Sequence, residues 1–375
     1  MASSQTINVT YDDFDPLISY ADLSQWSTPN PQDTPTWYKA PESETGLPWH
    51  QATLHWTTTK GAELSLNFTT SQIWLYGALN VSSPSFTVTL DGQTSSENPQ
   101  SVSSGRALLY SATDLSPSAH TLTLTNQGDG LGLDSVVLGY DLGSDLKNQT
   151  IDDAVDQIHY DGEWTRQGGD FFNGTNIYTK GPGNAFNFSF AGSALYIYGD
   201  AVQDHGDFSI YFNDSTTPYG MWNARTPCGG TTDYGKKCEK LGSLKAFVGN
   251  LPEGTHQVKL INDGPEGDNA TFFDFDYVEY TTPSTYPSFT INATCPNGIC
   301  GDSASPSNSS TSPSGTSPSG AGVSASSSGS SASSPAASST GGAQSGAFPN
   351  AGVGSTILLG VLGMWALKKL GLSRL

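Results

Sequence analysis

The chain has 375 residues, long enough for two domains of ordinary size with residues left over. Only 13% of them are charged, and 35 acids against 15 bases leave a formal net charge of −20. So thin a supply of Lys and Arg argues against nucleic acid and against electrostatic adhesion to anionic lipid, both of which need clustered positive charge.

The first eight residues, Met1 to Asn8, hold neither a basic nor an apolar stretch, so no signal peptide is visible. The rest of the chain reads as secreted, and the expectation is a natural start further upstream. A first set of strand patterns follows. Residues 10–20 open it, carrying the pair Asp12-Asp13 and closing on Tyr20. In residues 61–77, Leu64, Leu66 and Phe68 alternate with polar neighbours, then Ile73 and Leu75 do the same before Tyr76-Gly77. Alternation with a period of two marks strands with one face on a core and one in water. Residues 86–92, 115–122 and 133–140 continue the pattern, separated by turn signals such as Asp91-Gly92 and Asp129-Gly130.

The same order then recurs. Residues 150–160 match 10–20, with Asp152-Asp153 on Asp12-Asp13; residues 183–199 match 61–77 without a gap; residues 208–214 match 86–92. His256 falls on His120, and the closing strand from Phe273-Asp274 to Tyr280 falls on that from Leu133-Asp134 to Tyr140. Five blocks in one order mean duplication. The predicted fold is all-β: two tandem β-sandwich domains, residues 1–143 and 148–282, with no helical stripe before the tail.

A Cys-containing connector is expected over 283–301, and the cysteines come as close pairs, Cys228 with Cys238 and Cys295 with Cys300. Turn-like residues between the partners favour short-loop disulfides over a metal site, for which a lone CxxxxC is poor spacing. Residues 302–347 are nearly all Ser, Gly, Ala, Pro and Thr with almost nothing apolar to bury, so a disordered stalk is expected there. In 348–375 a polar spacer leads to the apolar run 357–367 and then Lys368-Lys369. Small residues around Ser345, or at Gly341 to Ala343, suit attachment of a GPI anchor, while the basic flank suits a short C-terminal membrane helix. Both remain open, and either attaches the chain to a membrane. Sequons at Asn8, Asn67, Asn80, Asn148, Asn173, Asn187, Asn213, Asn269, Asn292 and Asn308 also point to the secretory route and the cell surface.

No catalytic set is visible. His50 and His55 lack the spacing and the Glu of a zinc-protease helix, no Gly-x-Ser-x-Gly elbow occurs, and His120 and His256 read as structural. The chain is therefore expected not to be an enzyme, with a polysaccharide-active enzyme as a distant alternative, and to need no cofactor. The repeat-matched acids Asp12, Asp13, Asp134, Asp152, Asp153 and Asp274 are solvated turn residues or else ligands of a structural calcium ion. Trp26 and Trp164 align with one another and are expected in the core. Trp37, Tyr38, Trp49, Tyr219 and Trp222 fall in connections where binding usually resides, and they are the candidate ligand contacts.

The repeated run from Gly61 to Gly77, its second copy from Gly183 to Gly199, and the paired strands after them resemble galactose-binding-like jelly-roll modules. With the Ser-rich stalk and terminal anchor, the arrangement is similar to tandem-sandwich cell-surface proteins of filamentous fungi. The resemblance covers about residues 5–282. It implies a carbohydrate-binding or adhesive cell-surface glycoprotein with a glycan as partner. A structural or sensor-like surface protein with no specific ligand is the alternative.

Overall fold

The computed structural model describes residues 5–28, 48–80, 85–97, 105–227, 239–265 and 271–298. All of them lie in one compact unit, Met1–Ser307. Among these residues the regular structure is strand, and the helical pieces are single 3-10 turns.

Ten strands come first: β1 (Thr6–Asp12), β2 (Ser19–Tyr20), β3 (His55–Thr57), β4 (Glu63–Thr69), β5 (Gln72–Leu79), β6 (Phe86–Leu90), β7 (Gln93–Glu97), β8 (Ala107–Ala112), β9 (Ala119–Asn126) and β10 (Leu131–Asp141). They make two antiparallel sheets, β1-β10-β5-β8 and β2-β4-β9-β6-β7, with β3 also paired to β10. Leu64, Leu66 and Phe68 of β4 share one core with Ile73 and Leu75 of β5 and Val136 and Leu138 of β10. The alternating apolar residues thus face inward between two layers, the packing of a β-sandwich. Each fully buried Leu, Ile or Phe contributes roughly 1.5–3 kcal/mol.

Twelve more strands follow: β11 (Lys147–Asp152), β12 (His159–Asp161), β13 (Trp164–Gly168), β14 (Thr175–Lys180), β15 (Ala185–Ala191), β16 (Ala194–Ala201), β17 (Asp207–Phe212), β18 (Gly220–Asn223), β19 (Lys240–Val248), β20 (Thr255–Asn262), β21 (Phe272–Phe275) and β22 (Tyr277–Thr282). The sheet orders repeat. β11-β22-β16-β19 stands where β1-β10-β5-β8 stood, and β12-β15-β20-β17-β18 where β2-β4-β9-β6-β7 stood. β14 pairs with β21 as β3 pairs with β10, and β13 adds an outer strand. Phe68 lies opposite His120 on β9, and Phe190 lies opposite His256 on β20.

The closing strands align two residues away from the register read in the sequence. Leu75 pairs with Val136, and its counterpart Ile197 pairs with Val278. The N–H of Asp13 donates to the carbonyl of Asp134, and that of Asp153 donates to Asp276. Asp134 therefore corresponds to Asp276, and Asp274 to Gly132. The repeated glycines agree: a Cβ on Gly77 would lie 1.9 Å from the Gly132 carbonyl oxygen, and one on Gly199 would lie 2.8 Å from that of Asp274. The bulge of the first copy, between Leu133 and Ser135, sits beside this contact, and the close backbone approach in both copies explains why the glycine recurs.

Trp26 is buried as expected. Trp164 is half-buried against Tyr160 and Phe186 instead, its indole N–H donating to the Asp161 carbonyl. The two sets of strands also share packing. The first core takes in Ala194, Tyr196, Leu244 and Phe247, and the rings of Tyr140 and Phe247 lie 4.6 Å apart.

Candidate functional site: a cleft at the seam of the two repeats

Between β1 with its following turn and strands β18 and β19 lies a cleft of about 410 Å³. The turn is set by the sequence: Asp15 N–H donates to the Asp12 carbonyl and Ile18 N–H to that of Asp15, while Pro16 fixes φ inside it. This aims the Asp15 carboxylate at β19. Its Oδ1 accepts from Lys240 Nζ at 2.9 Å, Ser243 Oγ at 2.8 Å and the Leu244 N–H at 3.2 Å. On the other wall, β18 alternates. Met221 and Asn223 point outward, and Trp222 packs its ring 5.7 Å from Phe208. Gly220 has room only for hydrogen, since a Cβ there would fall 2.3 Å from the Trp222 ring.

The cleft floor is phenolic. Tyr11, Tyr140 and Tyr219 are buried in it, and burial pushes all three hydroxyls above their ordinary pKa, so they stay protonated and able to donate. The rim holds exposed Asn67, Asn223, Arg225 and Asn297 beside the half-buried side chains of Leu17, Leu23 and Trp222. Met221, 63% exposed, completes an apolar edge. Apolar faces beside convergent amides and hydroxyls are suited to a small polar ligand with C–H faces.

Two buried polar clusters flank the cleft. In the first, Lys240 Nζ donates to Asp12 and Asp15, both at 2.9 Å. Burial works against that ammonium, but the two carboxylates outweigh it and raise its pKa. Behind it, His55 Nδ1 lies 2.6 Å from Asp13 Oδ2 and Nε2 faces the Pro227 carbonyl. Burial pushes the Asp13 carboxyl well up and the His55 imidazole down to about 3. One proton links Nδ1 and Asp13 Oδ2, while Nε2–H donates to the Pro227 carbonyl. Asp13 also accepts from Thr53 Oγ1 at 2.6 Å.

The second cluster joins Asp200, His205 and Asp274, whose ligand atoms all lie within 4.8 Å of one another and are buried. These residue types fit a metal ion, yet the Lys245 ammonium already stands 3.0 Å from Asp274 Oδ1 and donates to the Asp200 carbonyl. Burial pulls the Asp274 carboxyl up, but Lys245 and the other donors outweigh it and hold it low. Burial dominates for Asp200, raised, and for His205, lowered to about 3.

Most of the acids considered for calcium are met by protein donors. Asp134 accepts from Arg106 Nε and the His50 N–H, both at 2.6 Å. Asp153 accepts from Arg166 Nε and Thr175 Oγ1. Asp152 has its carboxyl raised, chiefly by burial. Asp276, which the sequence register passed over, accepts the Phe172 N–H at 3.1 Å, as Asp134 accepts that of His50. Each donor opens a 3-10 turn with a left-handed residue, Gln51 or Asn173. The shared signal was Asp134-Ser-Val136 against Asp276-Tyr-Val278.

Of the candidate ligand contacts, Trp222 and Tyr219 line the cleft, while Trp49 caps the turn at His50 and does not. Trp37, Tyr38 and Ser345 lie outside the described residues, as do Cys228, Cys238, Cys300, Asn269, Asn308 and everything assigned to stalk and anchor. Cys295 is disulfide-bonded, and no described cysteine is free. None of the sequon asparagines at 8, 67, 80, 148, 173, 187, 213 and 292 is buried. His120, bonded to Asp91 and the Ser116 carbonyl, and His256, bonded to the Pro252 carbonyl, hold strand ends. Sequence reading missed Arg225, Asn223, Met221 and the rim asparagines Asn67 and Asn297. Among the described residues no helix is long and apolar enough to cross a membrane.

No protein-family model matches the sequence. A curated protein of Flavonifractor plautii, named A type blood alpha-D-galactosamine galactosaminidase, is 28% identical over 225 residues, 59% of this chain. The chain spans only 18% of that relative's length. Among solved structures, a Paenibacillus xanthan lyase aligns over 75% of this chain and 25% of its own, at 12% identity and a TM-score of 0.26. The ANXUR2 extracellular domain of Arabidopsis thaliana aligns over 75% of this chain and all of its own, at 12% identity and a TM-score of 0.23. At such TM-scores no functional statement follows from either. The galactosaminidase corrects the expectation that the chain is not an enzyme, since that relative is named for a catalytic activity. Glycosidase carboxylates carry no spacing signature, so a motif search of one sequence passes over them. The chain is thus all-β and sandwich-like, and over 225 residues it is similar to a protein named as a galactosaminidase.

Proposed function

We propose that the chain is a glycan-directed surface protein that holds a sugar in the seam cleft. The make-up of the cleft carries the reading: Trp222 and Met221 offer apolar faces to sugar C–H bonds, and Asn223 and Asn297 offer amides to hydroxyls. Its volume of about 410 Å³ falls within the roughly 300–1,000 Å³ usual for small-ligand sites. The galactosaminidase relative supports a carbohydrate as the ligand class. In the finer reading the two repeats are separate galactose-binding-like domains, the Ser-rich segment is a stalk, and the apolar tail attaches the chain to a membrane at the cell surface. The unburied sequons are compatible with glycosylation on that route.

Titration calorimetry of the full chain with methyl α-glycosides of galactose and N-acetylgalactosamine tests this. Saturable binding is expected, weakened at least tenfold by Trp222→Ala, a loss of about 1.4 kcal/mol. An undiminished affinity in that variant, or no saturable binding in the parent, would sink the reading. The relative's name favours a second reading, hydrolysis of a galactosaminide by this chain. Release of 4-nitrophenol from its α-galactosaminide by the full chain is the measurement that decides it.

A further inference from the structure

The charges lining the cleft run against those of the chain. Among the described residues, three charged ones line it: Asp15, Lys245 and Arg225, one negative and two positive, hence a net +1 in a chain of net −20. Two of the three are committed. Asp15 is buried, its Oδ2 bonded to the Asp12 N–H at 2.9 Å and its Oδ1 to Lys240, Ser243 and Leu244. The Lys245 ammonium is buried against Asp274 and the Asp200 carbonyl. Arg225 is different: it is exposed, and among the described residues its guanidinium has no carboxylate within ion-pair distance.

Its backbone is nevertheless held. The Arg225 N–H donates to Asn223 Oδ1 at 2.8 Å, and residue 225 makes a parallel bridge with Val202. Asn223 is fixed in turn by its bond to Asp207 Oδ1 at 2.7 Å. The uncommitted Arg225 is thus the one exposed charge among the described residues that line the cleft, a lining that Trp222 shares. Arginine binds planar or tetrahedral oxyanions through paired N–H donors, and within a strongly acidic chain an isolated cationic cleft selects for an anion.

We propose that the natural ligand of the cleft is an anionic sugar, a uronate or a sulfate ester, with its acid group on Arg225 and its ring against Trp222. This rests on the glycan reading above and narrows its ligand class.

The test uses the full chain and matched probes: methyl α-galactoside against methyl α-galacturonide, and N-acetylgalactosamine against its 6-sulfate. At low ionic strength at least one anionic member is expected to bind at least fivefold tighter than its neutral partner, and the arm that gains tells carboxylate from sulfate. Arg225→Gln should abolish the difference between the two members of each pair. Should that variant fail to fold, the parent decides alone, because the preference should fade toward unity in about 1 M salt, where the screening length falls to roughly 3 Å. Equal affinity for neutral and anionic partners, with Trp222→Ala still weakening both, would overturn the anionic ligand and leave the glycan reading intact. Binding of neither would overturn both.

Discussion

Asp276 lacks the arginine that its counterpart has. Asp134 is paired with Arg106 at 2.6 Å, whereas Arg166 in the second copy reaches Asp153 and leaves Asp276 with the Phe172 N–H and, among the described residues, no cation. Burial accordingly pushes its carboxyl up to about 7. A raised acid binds its proton more tightly folded than unfolded, so its stabilisation is complete below about pH 4 and lost as pH rises through 7. His55 and His205, lowered to about 3, work in the opposite sense: their contribution is present above about 6.5 and lost as pH falls toward 3. Asp276→Asn, which keeps an acceptor for Phe172, should therefore stabilise the chain relative to the parent at pH 8 by on the order of 1–3 kcal/mol and have little effect at pH 4. Urea unfolding at both pH values measures this, and an equal effect at both would contradict it. The sequence carried the acid pairs but not their partners. Asp276 was overlooked because matching Tyr140 to Tyr280 slid the closing strand by two residues, while hydrogen bonding to β1 and β11 sets the true register.

At the scale of elements, strand existence was legible and strand docking was not. The alternation in β4, β5, β15 and β16 states which face is buried, and the structure agrees. Nothing in β19 announces that its first residue, Lys240, reaches across to Asp12 and Asp15 at the end of β1. A buried cation between two carboxylates contributes little over an apolar replacement of the whole group, but removing one side alone strands the other. Lys240→Met should cost about 3–5 kcal/mol in urea unfolding, and adding Asp15→Asn should recover part of that loss. A cost below about 1 kcal/mol would mean that the seam is not fastened here. Because Asp15 also forms one wall of the cleft, the same variant should weaken sugar binding.

Over the whole molecule, the duplication explains why the cleft exists and why it was only half readable. The cleft draws on both sets of strands, pairing repeat-matched residues such as Tyr20 and Asn67 with the stretch from Tyr219 to Pro227. Trp222 and Tyr219 stood out as aromatics in a copy-specific stretch, while Arg225 and the rim asparagines look like ordinary surface residues until the two walls are brought together. A chain of net −20 that leaves an exposed guanidinium on such a cleft is suited to a ligand that most of its surface repels. A crystal structure of the full chain with a bound galactosamine- or galacturonate-type glycoside is the most direct check. The account predicts the sugar ring against Trp222, its hydroxyls on the rim asparagines and, for the galacturonate, its carboxylate on Arg225; a sugar seated on any other surface, with the seam empty at saturating ligand, would contradict it.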